Sequence, residues 1–170
     1  MTGPATPPRQ GDLRLLESDI AKSLLSSTIP ARCAYVASNG SPRIVATWFH
    51  WTGSELVMPT FISAPHVRHP AGRLRDLRRN PEMAISIDTE STPPQVLSIR
   101  GTATIHEVDG IVPEYAAAAP RYLGQDQASE YLAQIDQPIT RMARIAVRPT
   151  WVGVLDFASR LPSALGGISS

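Results

Sequence analysis

The residues of this chain best suited to chemistry lie in the segment 60–81, TFISAPHVRHPAGRLRDLRRNP. A threonine at the predicted end of a strand is followed by a long loop, and Pro70 then opens a short predicted helix. The helix carries four arginines: Arg73, Arg75, Arg78 and Arg79. Backbone N–H groups at a helix N-terminus and guanidinium groups both bind phosphate oxygens. The segment therefore predicts a phosphate site, and the alternative is a surface helix with solvated arginines and its leucines facing the core.

The segments before this helix show two kinds of periodicity. Asp12 is predicted to cap a helix that ends near residue 26, because leucines and isoleucines recur there at helical spacing. From Ala31 the pattern changes to short β-rich runs, separated by turn signals at 39–42 and 52–54. Three early strands joined by tight turns favour an antiparallel meander over a strand–helix–strand unit.

After Pro81, further β-rich runs are interrupted by one helical region at 111–135. This region is predicted either as two short helices broken near Pro120 and Gly124 or as one bent helix. Many short strands, few helices and no glycine-rich loop between a strand and a helix predict a small barrel. Closure of such a barrel hides the unpaired edges of its strands.

Composition describes an ordinary globular protein, with 42% hydrophobic and 18% charged residues. We predict a disordered tail at 1–11, one domain at 12–160 and a C-terminal tail at 161–170. The formal net charge of +1 gives no general attraction to nucleic acid or to a membrane surface, so neither is an expected partner. Cys33 is the only cysteine and cannot form an internal disulfide, which favours a reducing cytoplasm.

The order of these elements resembles the FMN-binding split-barrel family, which includes pyridoxamine 5′-phosphate oxidase, and particularly its actinobacterial flavin- or deazaflavin-dependent branch. The resemblance covers roughly residues 31–156. In order, the matching segments are ARCAYVAS, RIVATWFHW, ELVMPT, the basic helix RLRDLRRNP, EMAISID, VLSIRGTATI and a closing pair of strands, MARIAVRP and TWVGVLDF. The resemblance implies a mainly β (α+β) fold, namely a six-stranded antiparallel split β-barrel with flanking helices.

The resemblance also implies a cofactor site. Arg73 stands eight residues before Pro81, where relatives place a basic phosphate-binding residue, and Thr60 matches the family's hydroxyl at the end of the third strand. Arg43 begins the second strand and is expected to reach the same anion. The expected cofactor-binding residues are Arg43, Val45, Ala46, Thr47, Trp48, Pro59, Thr60, Arg68, Arg73 and Arg75.

Two segments of this expected site, residues 45–48 and the loop before the basic helix, need separate comment. The segment 45–48 matches the one that lies along the isoalloxazine edge in relatives, although core packing or a dimer contact is an alternative role for Trp48. The loop before the basic helix is longer than in pyridoxamine 5′-phosphate oxidase, so the phosphate is expected to be gripped differently, with Arg68 or His69 contributing. The family's Arg-x-His signature for the vitamin substrate has no match in DFASRLPSAL, so oxidation of pyridoxamine phosphate is not expected.

The implied function is a flavin- or deazaflavin-dependent oxidoreductase that transfers a hydride to or from a small organic substrate. FMN is the expected cofactor and coenzyme F420 the alternative, because Arg68 and Arg75 could receive the acidic tail of F420. The cofactor carries the reaction in this family, so no catalytic acid or base is nominated. The pair His66 and His69 is flanked by prolines and lacks a cysteine or acidic partner, so no metal site is predicted. The alternative function is non-catalytic binding of flavin or haem, with His50 as a candidate haem ligand. As in its relatives, a homodimer is expected.

Overall fold

The computed structural model describes residues 7–157, and the predicted C-terminal tail at 161–170 lies outside this range. The chain begins with a 3-10 turn, Leu13–Glu17, and helix α1, Asp19–Ser26. Ser18 between them has an extended backbone, and its hydroxyl accepts a hydrogen bond from a backbone N–H in the first turn of α1. The single helix predicted here is therefore wrong, because Ser18 ends one helical segment and caps the next.

The remaining elements are eight strands and three helices. The strands are β1 (Ala31–Val36), β2 (Pro42–Thr47), β3 (His50–Trp51), β4 (Leu56–Val57), β5 (Thr60–Ser63), β6 (Glu82–Asp88), β7 (Gln95–Asp109) and β8 (Arg141–Asp156). The helices are α2 (Arg73–Arg79), α3 (Pro113–Leu123) and α4 (Gln125–Ile135).

The strands pair antiparallel in the order β2-β1-β6-β7-β8-β4-β3, with β5 also paired to β8. β2 and β3 stand at opposite ends of this order, yet only Trp48 and Phe49 separate them in sequence. They are therefore two halves of one bent strand, and the sheet closes into a barrel. Only Met58 and Pro59 separate β4 from β5. Counting each such pair as one bent strand reduces the eight strands to six. The predicted split-barrel class is confirmed.

The closing pair of strands predicted at the C-terminus is instead one continuous strand, β8, of 16 residues. Pro149 has no N–H group to donate to a neighbouring strand, so its presence in the sequence predicts the end of a strand. In the structure it lies where the pairing of β8 with β7 shifts, between Arg100 and Gly101. Such a bulge accommodates a proline within a paired strand. A Cβ atom at Gly101 would collide with the carbonyl oxygen of Arg148, so the close approach of the two strands requires glycine.

The helical region at 111–135 forms two helices that are broken at Gly124, whose φ is 82°. A positive φ is readily adopted by glycine, and this residue therefore ends α3 and begins α4. Pro120 lies inside α3 and does not interrupt it. Within residues 7–157, no helix has the length and hydropathy needed to cross a membrane.

The first described residues are attached to the barrel. The N–H of Gly11 donates to the carbonyl oxygen of Val152 at 2.7 Å. The Gln10 side chain donates to the carbonyl oxygen of Val154 and accepts from its N–H, at 2.6 and 2.9 Å. The last two residues of the predicted tail at 1–11 thus bind β8.

Helix α2 is held to the turn between β1 and β2 by a buried carboxylate. Asp76 is one of two buried polar residues in the described chain, and its Oδ1 accepts a hydrogen bond from the N–H of Ser38 at 3.1 Å. Burial alone would raise the pKa of Asp76. The hydrogen bonds from Ser38 and the positive charge of Arg75 outweigh that effect and hold the pKa below its usual value.

The close approach at Gly101 leads to a stability prediction. Gly101→Ala should lower the free energy of unfolding by about 1–3 kcal/mol, because the added methyl group forces β7 and β8 apart. Gly72→Ala is the matched control: Gly72 has helical backbone angles and open space around the Cβ position. This control should leave the stability unchanged or raise it by about 0.4–1 kcal/mol. Equal losses for both variants in urea unfolding would contradict the prediction.

The contact between Asp76 and Ser38 leads to a prediction about pH. Because the pKa of Asp76 is depressed in the folded state, its carboxylate stabilises the fold above its unfolded pKa of about 3.9. That stabilisation is lost as the pH falls through the folded pKa. Asp76→Asn should therefore be less stable than the wild type at neutral pH, and the difference should narrow below about pH 4. Urea unfolding midpoints of the wild type and Asp76→Asn, measured across this pH range, test the prediction. Glu130→Gln, at an exposed carboxylate, is the control. A difference that does not change with pH would contradict the prediction.

Candidate functional site

The side chain of Arg73, at the first position of α2, lies against the inside of the barrel. It borders a gap of about 10 Å³ that is also lined by inward-facing side chains of β1, β2, β6 and β8. These residues are Cys33, Val45, Thr47, Met83 and Ile145, together with Met58 and Leu77. Arg73 is therefore part of the barrel and not a solvated residue on the outer side of its helix.

The positive charge of Arg73 lacks an acidic partner. Its Nε atom is fully buried and makes no hydrogen bond, and Arg73 forms no ion pair with any residue in the range 7–157. Burial lowers the pKa of Arg73, and the nearby Cys33 and Tyr35 oppose this shift only in part. A buried cation without a compensating group is costly. A gap of this size holds about one water molecule, so an anion would contact Arg73 from the barrel end outside the gap.

A second arginine is directed to the same end of the barrel. Arg43 on β2 pairs with Tyr35 on β1, and side chains of directly paired residues project from the same face of a sheet. In the same register Cys33 pairs with Val45, so Arg43 shares the inner face of β2 with Val45. Arg43 is exposed, whereas Arg73 is half-buried. An anion here could contact two guanidinium groups and the Tyr35 hydroxyl.

Cys33 does not add a reactive group to this end. Its side chain is buried, and its Sγ atom lies 2.8 Å from the Sδ atom of Met58. Burial raises the pKa of Cys33 to about 12, although the positive charge of Arg73 acts in the opposite direction. The thiol is therefore protonated at neutral pH and packs as a small apolar side chain.

The remaining residues expected to bind a cofactor do not line the gap beside Arg73. Ala46 is exposed on the outer face of β2, opposite its neighbours in sequence. Pro59 is buried at the bend between β4 and β5, and Thr60 is a half-buried residue of β5 that pairs with β8. Arg68 is exposed in the loop before α2, and the exposed Arg75 lies 3.6 Å from the carboxylate of Asp76.

Trp48 belongs to an aromatic cluster that was not predicted from the sequence. Its ring is stacked on Tyr122, with centroids 4.8 Å apart and planes 1° from parallel, and on Tyr115 at 5.7 Å. Tyr131 contacts the edge of Trp48 at 6.3 Å, and Phe61 contacts Tyr115 at 5.6 Å. The cluster joins the bend between β2 and β3 to β5 and to helices α3 and α4.

Two tyrosine hydroxyls of this cluster contact each other. The Tyr115 and Tyr131 oxygens are 2.8 Å apart. Burial raises the pKa of Tyr115 far above its usual range, and the hydrogen bond with Tyr131 adds to the shift. The Tyr115 hydroxyl is thus neutral at physiological pH and can donate or accept a hydrogen bond. The seven-residue spacing of Tyr115 and Tyr122, which puts both on one helix face, is the sequence signal that could have found the cluster.

Comparison with known proteins supports the fold. No family model matches the sequence, and no curated protein matches it significantly. Several solved structures do match. A protein named F420 reductase is 25% identical, with a TM-score of 0.58, and the match covers 78% of this chain and 94% of that one.

Two further structures share the fold at lower identity. A putative pyridoxamine 5′-phosphate oxidase from Listeria innocua is 20% identical over 82% of this chain and 98% of its own, with a TM-score of 0.54. A haem-binding protein from Mycobacterium smegmatis is 20% identical over 81% of this chain, with a TM-score of 0.53, and the match spans 52% of its length. The chain is thus a split-barrel protein with the pyridoxamine 5′-phosphate oxidase-like fold.

Proposed function

We propose that this protein is a cytoplasmic oxidoreductase that binds a flavin or deazaflavin and transfers a hydride to or from a small organic substrate. The observation that carries the proposal is the unpaired charge of Arg73. A half-buried guanidinium group without an acidic partner gains from an anionic ligand, and the phosphate that FMN and F420 both carry is such an anion. The F420 reductase among the structural neighbours supports the same class of cofactor.

Each part of the barrel end would make a different contribution to cofactor binding. Arg73 and Arg43 would hold the phosphate, since guanidinium groups donate paired hydrogen bonds to its oxygens. The backbone of β2 from Val45 to Thr47 would run along the ring, as the sequence resemblance implies. Trp48 and its tyrosine partners would form an apolar wall that excludes water. When bound, the ring supplies the hydride chemistry, and the protein supplies position and electrostatics.

The choice between FMN and F420 depends on groups beyond the shared phosphate. FMN is the cofactor that the sequence resemblance favours. F420 carries an acidic tail, and the exposed Arg68 and Arg75 lie close to Arg73 in sequence and offer positive charge to such a tail. The F420 reductase neighbour favours the second cofactor. Mass spectrometry of the small molecule released from denatured protein distinguishes the two.

A non-catalytic carrier of flavin or haem is the second candidate, because it would need a similar cavity. His50, the candidate haem ligand, is half-buried on β3 and lines a cavity beside α1. The absorption spectrum of the purified protein separates haem from flavin. Bleaching by a reductant, followed by reoxidation with candidate substrates, separates an oxidoreductase from a carrier: a carrier binds its ligand but shows no turnover with any of them.

The proposed role of Arg73 predicts opposite effects on stability and on cofactor binding. Arg73→Met should weaken FMN or F420 binding by about 1.5–3 kcal/mol, the range for a hydrogen bond to a charged group. The same substitution should raise the stability of the cofactor-free protein, because it removes an unpaired charge from the barrel. Fluorescence titration and urea unfolding measure the two effects.

The controls distinguish an arginine that binds the cofactor's phosphate from one that has only a structural role. Riboflavin, which lacks the phosphate, should bind the wild type and Arg73→Met equally well. Arg79→Met, at the exposed far end of the same helix, should change FMN affinity by less than about 0.5 kcal/mol. A loss of stability in the cofactor-free Arg73→Met protein, or an equal loss of riboflavin binding, would contradict the phosphate assignment.

We also propose that the protein is a homodimer and that the dimer forms through the outward side of the sheet. This outer sheet face consists of small or apolar side chains between two arginines: Arg32, Ala34, Ile44, Ala46, Ala84, Ser86, Ser98 and Arg100. Ile44 is 70% exposed, an unusual position for a large aliphatic side chain on a flat strand surface. A second copy would cover it and would lie beside Ala46 and the other residues of β2.

The dimer proposal predicts the effect of one charge. Ile44→Asp should convert the protein to a monomer at micromolar concentration, because removing a carboxylate from water at the apolar centre of an interface is costly. Ile139→Asp is the matched control, since Ile139 is also exposed but lies between α4 and β8, away from this face. Light scattering measures the mass of each variant. A monomeric wild type, or a dimeric Ile44→Asp variant, would contradict the proposal.

A further inference from the structure

A second cavity lies on the other side of the bend between β2 and β3. It has a volume of about 390 Å³ and is bordered by the 3-10 turn, α1, β3, the turn before β4, and α3. Its lining residues include Leu16, Lys22, Leu25, Trp51, Ala117 and Arg121. The volume is in the range of small-molecule sites. Apart from His50, the candidate haem ligand, no residue of this lining was expected to bind a cofactor.

The walls of this cavity combine an aromatic surface with excess positive charge. The side chain of Trp51 and two leucines provide apolar contact. Lys22 and Arg121 are cationic, whereas Glu17, which lies 3.1 Å from Lys22, is the one acidic residue of the lining. The two cationic side chains and the one carboxylate leave one net positive charge on the lining.

Arg121 is the group best placed to hold an anion. Its Nη1 donates to the carbonyl oxygen of Leu25 at 2.7 Å, and its Nη2 donates to the carbonyl oxygen of Phe49 and to the hydroxyl of Tyr122. A guanidinium group has five N–H donors, so the Nε–H and one Nη1–H remain available. Arg121 forms no ion pair with the residues of the described range. Its guanidinium group is held in place by these bonds and by the rings of Phe49 and Tyr122.

We propose that this cavity binds a small aromatic or apolar monoanion, such as an arene carboxylate. The carboxylate would accept a hydrogen bond from one of the two free N–H groups of Arg121, with Lys22 adding positive charge at the cavity rim. The apolar part of the ligand would lie against Trp51 and the leucines. The proposal does not depend on the cofactor assignment, because the cavity shares no lining residue with the gap beside Arg73.

The test uses cofactor-free full-length protein and three probes: 2-naphthoate, its neutral analogue 2-naphthamide, and benzoate as a smaller anion. Isothermal titration should give saturable binding of 2-naphthoate with a Kd below about 1 mM. The amide should bind at least about tenfold more weakly, because it lacks the charge that Arg121 and Lys22 recognise. Benzoate should bind more weakly than 2-naphthoate, since it buries less apolar surface against Trp51.

Variants locate the binding within the cavity. Ala117→Trp, on an exposed helix position at the cavity wall, should fill the space and abolish binding. Ala133→Trp is the matched control on an exposed position of α4 outside the lining, and it should bind like the wild type. Lys22→Glu should weaken binding at least about tenfold by reversing the rim charge. Absence of saturable binding, equal affinity for the amide, or unchanged binding by Ala117→Trp would each overturn the proposal.

Discussion

The bend between β2 and β3 is the constraint on which the rest of the structure depends. The backbone must turn at Trp48 and Phe49 so that the first and last strands of the sheet can be one continuous segment and the barrel can close. Phe49 is completely buried, and Arg121 binds its carbonyl oxygen while stacking on its ring. Trp48 faces the other way and stacks on Tyr122. One bend thus attaches the barrel core to α3 and sets the position of both candidate sites.

The pairing of the arginines indicates which of them are structural. Arg144 on β8 contacts Glu55 at 3.2 Å and Glu114 at 2.8 Å, and it joins the turn before β4 to α3. Arg141 similarly contacts two acidic residues of β7. The positive charges of Arg144 and Arg141 are therefore paired with acidic side chains of the same chain. Arg73 and Arg121 are instead half-buried without an acidic partner among the described residues, and each borders a cavity. Uncompensated burial, and not arginine content, marks a candidate anion site.

The sequence predicted those features that depend on local pattern. The strand series follows from periodicity and turn residues, and the split-barrel class that the family resemblance implied is confirmed. The significance of Arg73 before Pro81 also came from that resemblance. The features that were missed depend on contacts between distant segments. The collision that requires Gly101 is with the backbone of β8, and the partners of Trp48 are in α3 and α4. Nothing in the local sequence of β8 distinguishes Pro149 at a bulge from a proline that ends a strand.

The two candidate sites lie on one segment of the chain, because Thr47 lines the gap beside Arg73 and His50 and Trp51 line the cavity beside Arg121. This proximity allows coupling between them. Arg121 keeps its bonds to the carbonyl oxygens of Leu25 and Phe49 while two other N–H groups are free, so an anion in the cavity would add to these bonds without replacing them. Such a ligand would stabilise the bend in its present geometry. If the cofactor also favours this geometry through Trp48, each ligand must strengthen the binding of the other by the same factor, because coupling free energy is reciprocal.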